Sequence, residues 1–115
     1  MKEYMFVFRG GSSTDVMHSP EQMQQDMMKW KAWIDQIAAS GKYIAGQPLT
    51  PEGRVIAGKQ KKITDKPFAE GKEIIGGYFL IKAENFDEAL EMSKGCPGFE
   101  YDGSVEVREV MQMNM

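Results

Sequence analysis

Few side chains in this 115-residue chain combine a reactive type with a position that suggests a site. His18 is the single histidine, and its imidazole can accept or donate a proton near neutral pH. Asp65 and Tyr78 stand on either side of a charged loop, where a carboxylate and a phenol can position a polar group of a ligand or move its proton. These three residues are the catalytic candidates. For His18, the alternative is an exposed loop residue.

Four residues are candidates for ligand binding. Arg9 ends the first predicted strand, where its guanidinium can pair with a carboxylate. Trp30 lies on a predicted helix and offers a ring for stacking, with core packing as the alternative. Asp65 and Tyr78 would face a shared cleft, although Asp65 also suits a turn bond to its own backbone. The sequence predicts a small, partly apolar pocket between helix and sheet that binds a small apolar or aromatic molecule.

Other kinds of site find little support in the sequence. With one histidine, metal sites built on histidine are excluded, and we expect neither a metal nor another cofactor. Cys96 is the single cysteine, so no intrachain disulfide can form. It follows a predicted helix, and a thiol at a helix C-terminus gains no thiolate stabilisation from the dipole.

The composition indicates which partners and which cellular location to expect. The chain has 14 basic and 17 acidic side chains, and its net charge of −3 argues against nucleic acid as the main partner. No apolar run approaches the roughly 20 residues needed to cross a bilayer, so no membrane partner is expected and the cytoplasm is the expected location. The length predicts one domain over residues 1–115.

The strongest local pattern is the first helix. Ser19 and Pro20 predict its start, with Gln22 completing a capping box, and Gly41 predicts its stop. Apolar residues at helical spacing predict its buried face, with Trp33 off that face. The members of the predicted face are Met23, Met27, Trp30, Ile34, Ile37 and Ala38.

The remaining elements complete an α+β order. A second helix is predicted from Asn85, with Glu88 completing its capping box, and its inner face comprises Phe86, Ala89, Leu90 and Ser93. Strands are predicted over residues 4–8, 43–46, 54–57, 61–64, 73–82 and 104–110.

This order predicts a ferredoxin-like βαββαβ fold with an inserted hairpin. The Gly76–Gly77 pair predicts a bulge or a place where a ligand approaches the backbone. The first strand is apolar on both faces, and the two helices cover only one side of the sheet. A second copy is therefore expected on the other side, as a homodimer.

A motif in residues 63–78 resembles the YCII-related (DGPF-domain) family. Lys66 replaces the glycine of that motif, and the resemblance covers nearly the whole chain. The matching residues are Asp65, Pro67, Phe68, Ala69, Glu70, Lys72, Glu73, Gly76, Gly77 and Tyr78. The resemblance implies a dimeric α+β barrel. It also implies a histidine–aspartate acid–base pair, whose positions hold Trp30 and Cys96 here.

Three functions follow as hypotheses. The first is a dimeric domain that binds a small molecule between helix and sheet. The second is a small enzyme, a lyase or isomerase acting on a ring compound. The third is a regulatory protein-interaction module, although the acidic chain offers no DNA-reading element.

Overall fold

The computed structural model of the chain describes residues 1–10, 19–65 and 73–113. Strands, two α-helices and a short 3-10 helix follow one another along these ranges. The elements are β1 (Lys2–Arg9), α1 (Pro20–Ala39), β2 (Tyr43–Pro48), β3 (Val55–Ala57), β4 (Lys62–Thr64), β5 (Ile75–Ala83), α2 (Phe86–Ser93), the 3-10 helix (Pro97–Tyr101) and β6 (Ser104–Glu109).

The main sheet has four antiparallel strands in the order β2-β5-β1-β6. Each βαβ crossover therefore skips one strand, as in ferredoxin-like folds. The strands β3 and β4 form a separate hairpin between β2 and β5. The predicted α+β class, the order of elements and the inserted hairpin are confirmed.

Strand β1 shows why one face of the sheet is closed and the other is not. Tyr4, Phe6 and Phe8 are buried on the helix side, and Met5 and Val7, which alternate with them, are only partly covered. The dimeric barrel, in which a second copy covers this second side, stays a prediction. We call that side the open face, formed centrally by Met5, Val7, Tyr78 and Leu80.

Helix α1 begins and ends where the sequence predicts. The Ser19 hydroxyl accepts a hydrogen bond from the backbone N–H of Gln22 at 3.1 Å, and Gly41, with φ of +77°, follows the last turn. The second hydrogen bond of the predicted capping box, from the Gln22 side chain back to Ser19, is replaced by another. The Gln22 side chain donates to Asp26 at 3.1 Å and so braces the first two turns of the helix.

The buried face of α1 is rotated from the predicted one. Asp26, Trp33 and Ile37 are buried, whereas Met23 and Met27 are exposed. Met23 and Met27 continue the helical spacing of apolar residues, and so they fit a buried face as well as Trp33 does. The spacing alone therefore could not tell which of two overlapping helix faces is buried. The buried face is determined by contacts with other elements of the fold, and the sequence of one helix does not contain that information.

Trp33 is the clearest correction to the predicted face. Trp33 was predicted to lie off the buried face of α1, but it is among the most buried residues of that helix. Its indole N–H donates to the carbonyl oxygen of Met92 at 3.3 Å, and its ring lies parallel to that of Phe6 with centroids 6.1 Å apart. A hydrogen bond to α2 and a ring contact with the sheet together fix the rotation of α1.

Helix α2 is capped as predicted but buries fewer apolar residues. The Asn85 side chain accepts from the backbone N–H of Glu88 at 2.9 Å. Ala89 is buried, whereas Phe86 and Leu90, predicted on the inner face, are 42% and 46% exposed. The inner side of α2 is formed by the small residues Ala89 and Ser93, and the Phe86 ring meets the buried Tyr4 ring edge to face, with centroids 5.1 Å apart.

Candidate functional site

A cleft of about 470 Å³ opens at the end of the main sheet where β1 ends and β5 begins. The connection that follows β2 forms its other wall. We call it the sheet-end cleft. Its lining residues are Arg9, Leu49, Thr50, Pro51, Glu52, Gly53, Arg54, Val55, Ile74 and Ile75.

Arg9 is a charged residue of the sheet-end cleft that two hydrogen bonds hold in place. The pairing of β1 with β5 shifts register between Phe8 and Arg9, and this places Arg9 at the mouth of the cleft. Its Nη2 donates to Glu106 at 3.2 Å, and its Nη1 donates to the carbonyl oxygen of Glu73 at 3.3 Å. The guanidinium is therefore held in place while about a third of the side chain stays accessible.

Arg54 supplies a second, looser cation at the same cleft. Its side chain is 71% exposed and forms an ion pair with Asp65, with Nε and Oδ1 3.9 Å apart. Asp65 itself is almost fully exposed at the end of the hairpin. An exposed pair at this distance contributes little to stability, so Arg54 is free to exchange its partner.

Tyr78 and Trp30 lie on opposite faces of the sheet. Tyr78 pairs with Val7 of β1 on the open face. Trp30 packs on the helix side, with its ring centroid 5.0 Å from that of Phe8 and 6.0 Å from that of Phe79. One pocket between helix and sheet therefore would not hold both candidates.

The space between α1 and the sheet, where the sequence predicts a pocket, is occupied by packed aromatic rings. Neighbouring centroids lie 4.9 to 6.1 Å apart, mostly edge to face, which is favourable for aromatic pairs. We call this group the ring cluster: Phe6, Phe8, Trp30, Trp33 and Phe79.

The Gly76–Gly77 pair forms the predicted bulge, but its close neighbour is not a ligand. A Cβ at Gly77 would lie 2.8 Å from the backbone oxygen of Gln47 and 3.2 Å from the Cα of Pro48. The glycine is therefore required by the approach of strand β2. A Cβ at Gly76 would meet only the backbone oxygen of Phe8, at 4.0 Å.

A buried carboxylate that the sequence did not single out joins α1 to the 3-10 helix. The Tyr101 hydroxyl donates to Asp26 Oδ2 at 2.6 Å, and Gln22 donates to the other oxygen. The hydrogen bond to Asp26, followed by burial, raises the pKa of the Tyr101 phenol. An ion pair between Lys29 and Glu100 at 2.8 Å supports the same contact. The only sequence signal was an acidic residue one turn before Trp30, in line with Trp33.

Cys96 precedes the first residue of the 3-10 helix and caps that helix, whereas the sequence placed it only after the end of α2. The thiol is buried, and Sγ accepts from the backbone N–H of Gly98 at 3.4 Å. Burial raises the pKa of the Cys96 thiol to about 11. The group is therefore protonated and inert near neutral pH.

The family of the chain follows from a comparison with family models. The model described as the YCII-related domain matches residues 5–114. The chain belongs to the YCII-related family. The resemblance seen in the sequence is thereby confirmed, and no curated protein matches the chain.

A solved structure shares the fold of this YCII-related chain. It is 5-chloro-2-hydroxyhydroquinone dehydrochlorinase (TftG) from Burkholderia phenoliruptrix AC1100, in complex with 2,5-dihydroxybenzoquinone. The two chains are 16% identical, the match covers 96% of this chain and 95% of the other, and the TM-score is 0.51. At this identity the similarity shows the fold alone.

The positions that the YCII-related resemblance assigns to an acid–base pair hold side chains without that chemistry. Trp30 belongs to the ring cluster, and the raised pKa of Cys96 removes its thiolate near neutral pH. His18 lies outside the described residues. Within the described ranges, no three or more His, Cys, Asp or Glu side chains are grouped to hold a metal ion. No helix in those ranges has both the length and the apolar character to span a membrane.

Proposed function

We propose that this YCII-related chain binds a small organic anion with an apolar body in the sheet-end cleft. The observation that carries the proposal is the pairing of two arginines, Arg9 and Arg54, with apolar walls in one cleft. Its volume of about 470 Å³ falls within the range of ligand sites. An aromatic carboxylate fits this description best.

The charges of the sheet-end cleft favour an anion. Arg9 and Arg54 outnumber the single acidic lining residue, Glu52. Both arginines already have carboxylate partners, but these pairs are partly or fully exposed and so contribute little stability. A ligand carboxylate that binds a guanidinium through both oxygens would replace a weak contact with a stronger one.

Other candidate residues take different parts in this proposal. Asp65 would orient Arg54, because the two side chains form an ion pair. Tyr78 would border the site from the open face, since its pairing partner Val7 lies two residues before Arg9. Trp30 takes no part in the sheet-end cleft, because it lies across the sheet in the ring cluster.

The test is a comparison of benzoate and hydroxybenzoates with neutral benzamide, by thermal shift and calorimetry. Acids should stabilise the wild type by mass action, and the amide should not. Arg54→Gln should weaken binding of the acid by about 10- to 100-fold, the loss of one charge-assisted hydrogen-bonding group. Arg108→Gln is the control, because Arg108 is equally exposed and lies outside the cleft. Equal binding of acid and amide would contradict the proposal.

We also propose that a second copy covers the open face. Its half-covered apolar side chains support this, because one chain has no described element left to bury them. Val7 pairs with Glu106, so Val7→Glu would place two carboxylates side by side in the interface. Sedimentation should show weaker association for this variant than for the wild type. Unchanged association would remove the open face as the interface.

An enzyme acting on a ring compound is the second candidate function. The hydrogen bond between Tyr101 and buried Asp26 favours it, because a short phenol–carboxylate pair can transfer a proton. The structural neighbour is named as a dehydrochlorinase, so chloride release from a chlorinated hydroquinone is the assay. Loss of release in Tyr101→Phe, with release kept in Tyr43→Phe, would support this candidate. Loss in Asp65→Asn would instead implicate the residue predicted from sequence.

A further inference from the structure

The inserted hairpin projects as an arm, and most of its strand residues are exposed to solvent. We call residues 54–64 the arm. Its strands β3 and β4 pair with each other in a separate two-stranded sheet, and five of their six residues are exposed. The radius of gyration is 15.7 Å, whereas about 13 Å is usual for this length. An isolated hairpin is marginally stable in water, so the arm needs a partner surface.

One side of the arm is apolar and faces away from the sheet-end cleft. Ile56 and Ile63 are directly paired across the hairpin, and they are 62% and 63% exposed. Val55, which alternates with Ile56, lines the cleft. The isoleucine pair therefore forms an apolar contact surface that is separate from the proposed ligand site.

The arm and the rest of the chain carry net charges of opposite sign. It contains four basic residues and no acidic one, which gives a charge of +4. The whole chain carries −3, so the remaining residues carry −7. A surface that fits the arm must therefore be apolar and acidic at once. The basic residues of the arm are Arg54, Lys59, Lys61 and Lys62.

The outer side of α2 has this combination. Phe86 and Leu90, one turn apart, are nearly half exposed although their spacing predicts a buried face. Asp87 and Glu91 form a parallel acidic row beside them. We call these four residues the α2 patch.

We propose that the arm of one copy docks on the α2 patch of a second copy. Ile56 and Ile63 would cover the apolar row of the patch, and Lys59 and Lys61 of the hairpin turn would face its acidic row. A second copy always supplies both surfaces, so the contact can be made reciprocally and close a two-fold pair. This proposal does not rest on ligand binding in the sheet-end cleft.

A charge exchange between two full-length variants tests the docking. The first variant, Lys59→Glu with Lys61→Glu, reverses the charge of the hairpin turn from +2 to −2 and leaves the α2 patch unchanged. The second, Asp87→Lys with Glu91→Lys, reverses the patch and leaves the arm unchanged. Each variant alone should associate at least about tenfold more weakly than the wild type in sedimentation at low salt. In an equimolar mixture every hairpin turn meets a patch of opposite sign, so association should recover.

The apolar half of the contact is tested by Ile56→Thr with Ile63→Thr. Threonine keeps the β-branched shape that strands prefer, so the hairpin itself is preserved. Association should again weaken by about tenfold or more, since two largely buried isoleucines are lost. Met28→Thr, on the exposed side of α1, is the control with equal exposure and should associate as the wild type does.

Two results would overturn the proposal. One is wild-type association in the charge-reversed variants, and the other is a mixture that stays as dissociated as its components. Circular dichroism of each variant verifies that the main fold is retained. Benzoate binding, measured on the same samples, reports the sheet-end cleft separately, because no substituted residue of the arm or patch lines it.

Discussion

Cys96 should react about 100-fold more slowly with a disulfide reagent in the folded chain than in the unfolded chain. The thiolate is the reacting species, and burial raises the pKa of this thiol from 9.0 to about 11. At about pH 8 the unfolded chain has roughly a tenth of its thiol ionised, and the folded chain has about a thousandth. The ratio of these fractions sets the 100-fold difference before any steric protection is added.

The assay follows release of a coloured thiol from an aromatic disulfide. Cys96 is the single cysteine of the chain, so the whole signal belongs to it. The same protein in denaturant gives the reference rate, and a Cys96→Ala variant gives the background. A native rate within about threefold of the denatured rate would refute the reasoning, because it would show an ordinary accessible thiolate.

The same shift in pKa predicts a dependence of stability on pH. The folded chain holds the Cys96 proton to higher pH than the unfolded chain does. The free energy of unfolding therefore keeps this contribution below about pH 9 and loses it as pH rises towards 11. Urea denaturation across this range should show a steeper decline for the wild type than for Cys96→Ala. The raised pKa of Tyr101 adds a decline of the same sign to both proteins.

Four further substitutions test the packing and one partly buried hydrogen bond. Phe6→Ala, at a fully buried position, should lower the free energy of unfolding by about 3–5 kcal/mol in urea denaturation, and a loss below 1 kcal/mol would contradict the assigned core. Gly77→Ala should lower the melting temperature, because its methyl group would meet the backbone of β2, whereas Gly76→Ala should cost much less. Tyr101→Phe should cost about 1.5–3 kcal/mol through the lost hydrogen bond to Asp26, and an unchanged stability would show that this bond is not formed in solution.

Helix boundaries could be predicted from the sequence because their causes are local. Ser19 caps α1 and Asn85 caps α2 through hydrogen bonds that span only three residues. Which side of each helix is buried could not be predicted in the same way. The rotation of α1 depends on Trp33 meeting α2 and the sheet, and the burial of Asp26 depends on Tyr101, 75 residues away.

The candidate site was predicted in part for the same reason. Arg9 was expected at the end of the first strand, and the structure places it at the mouth of a cleft. Arg54 was missed as a site residue, because its position depends on how the connection after β2 folds back. Trp30 and Tyr78 were grouped by residue type, and strand alternation together with the position of α1 separates them.

Both tryptophans of the chain lie in the ring cluster, with their ring centroids 5.7 Å apart at an angle of 64°. Two indoles this close and this inclined couple their strongest electronic transitions, so the far-ultraviolet circular dichroism of the protein should contain a paired band from them. Both indoles belong to α1, so that band would report how firmly the ring cluster holds the two rings against each other, and nothing of the arm. The chain thus contains its own optical probe, one that separates a variant with a damaged core from a variant with a damaged interface.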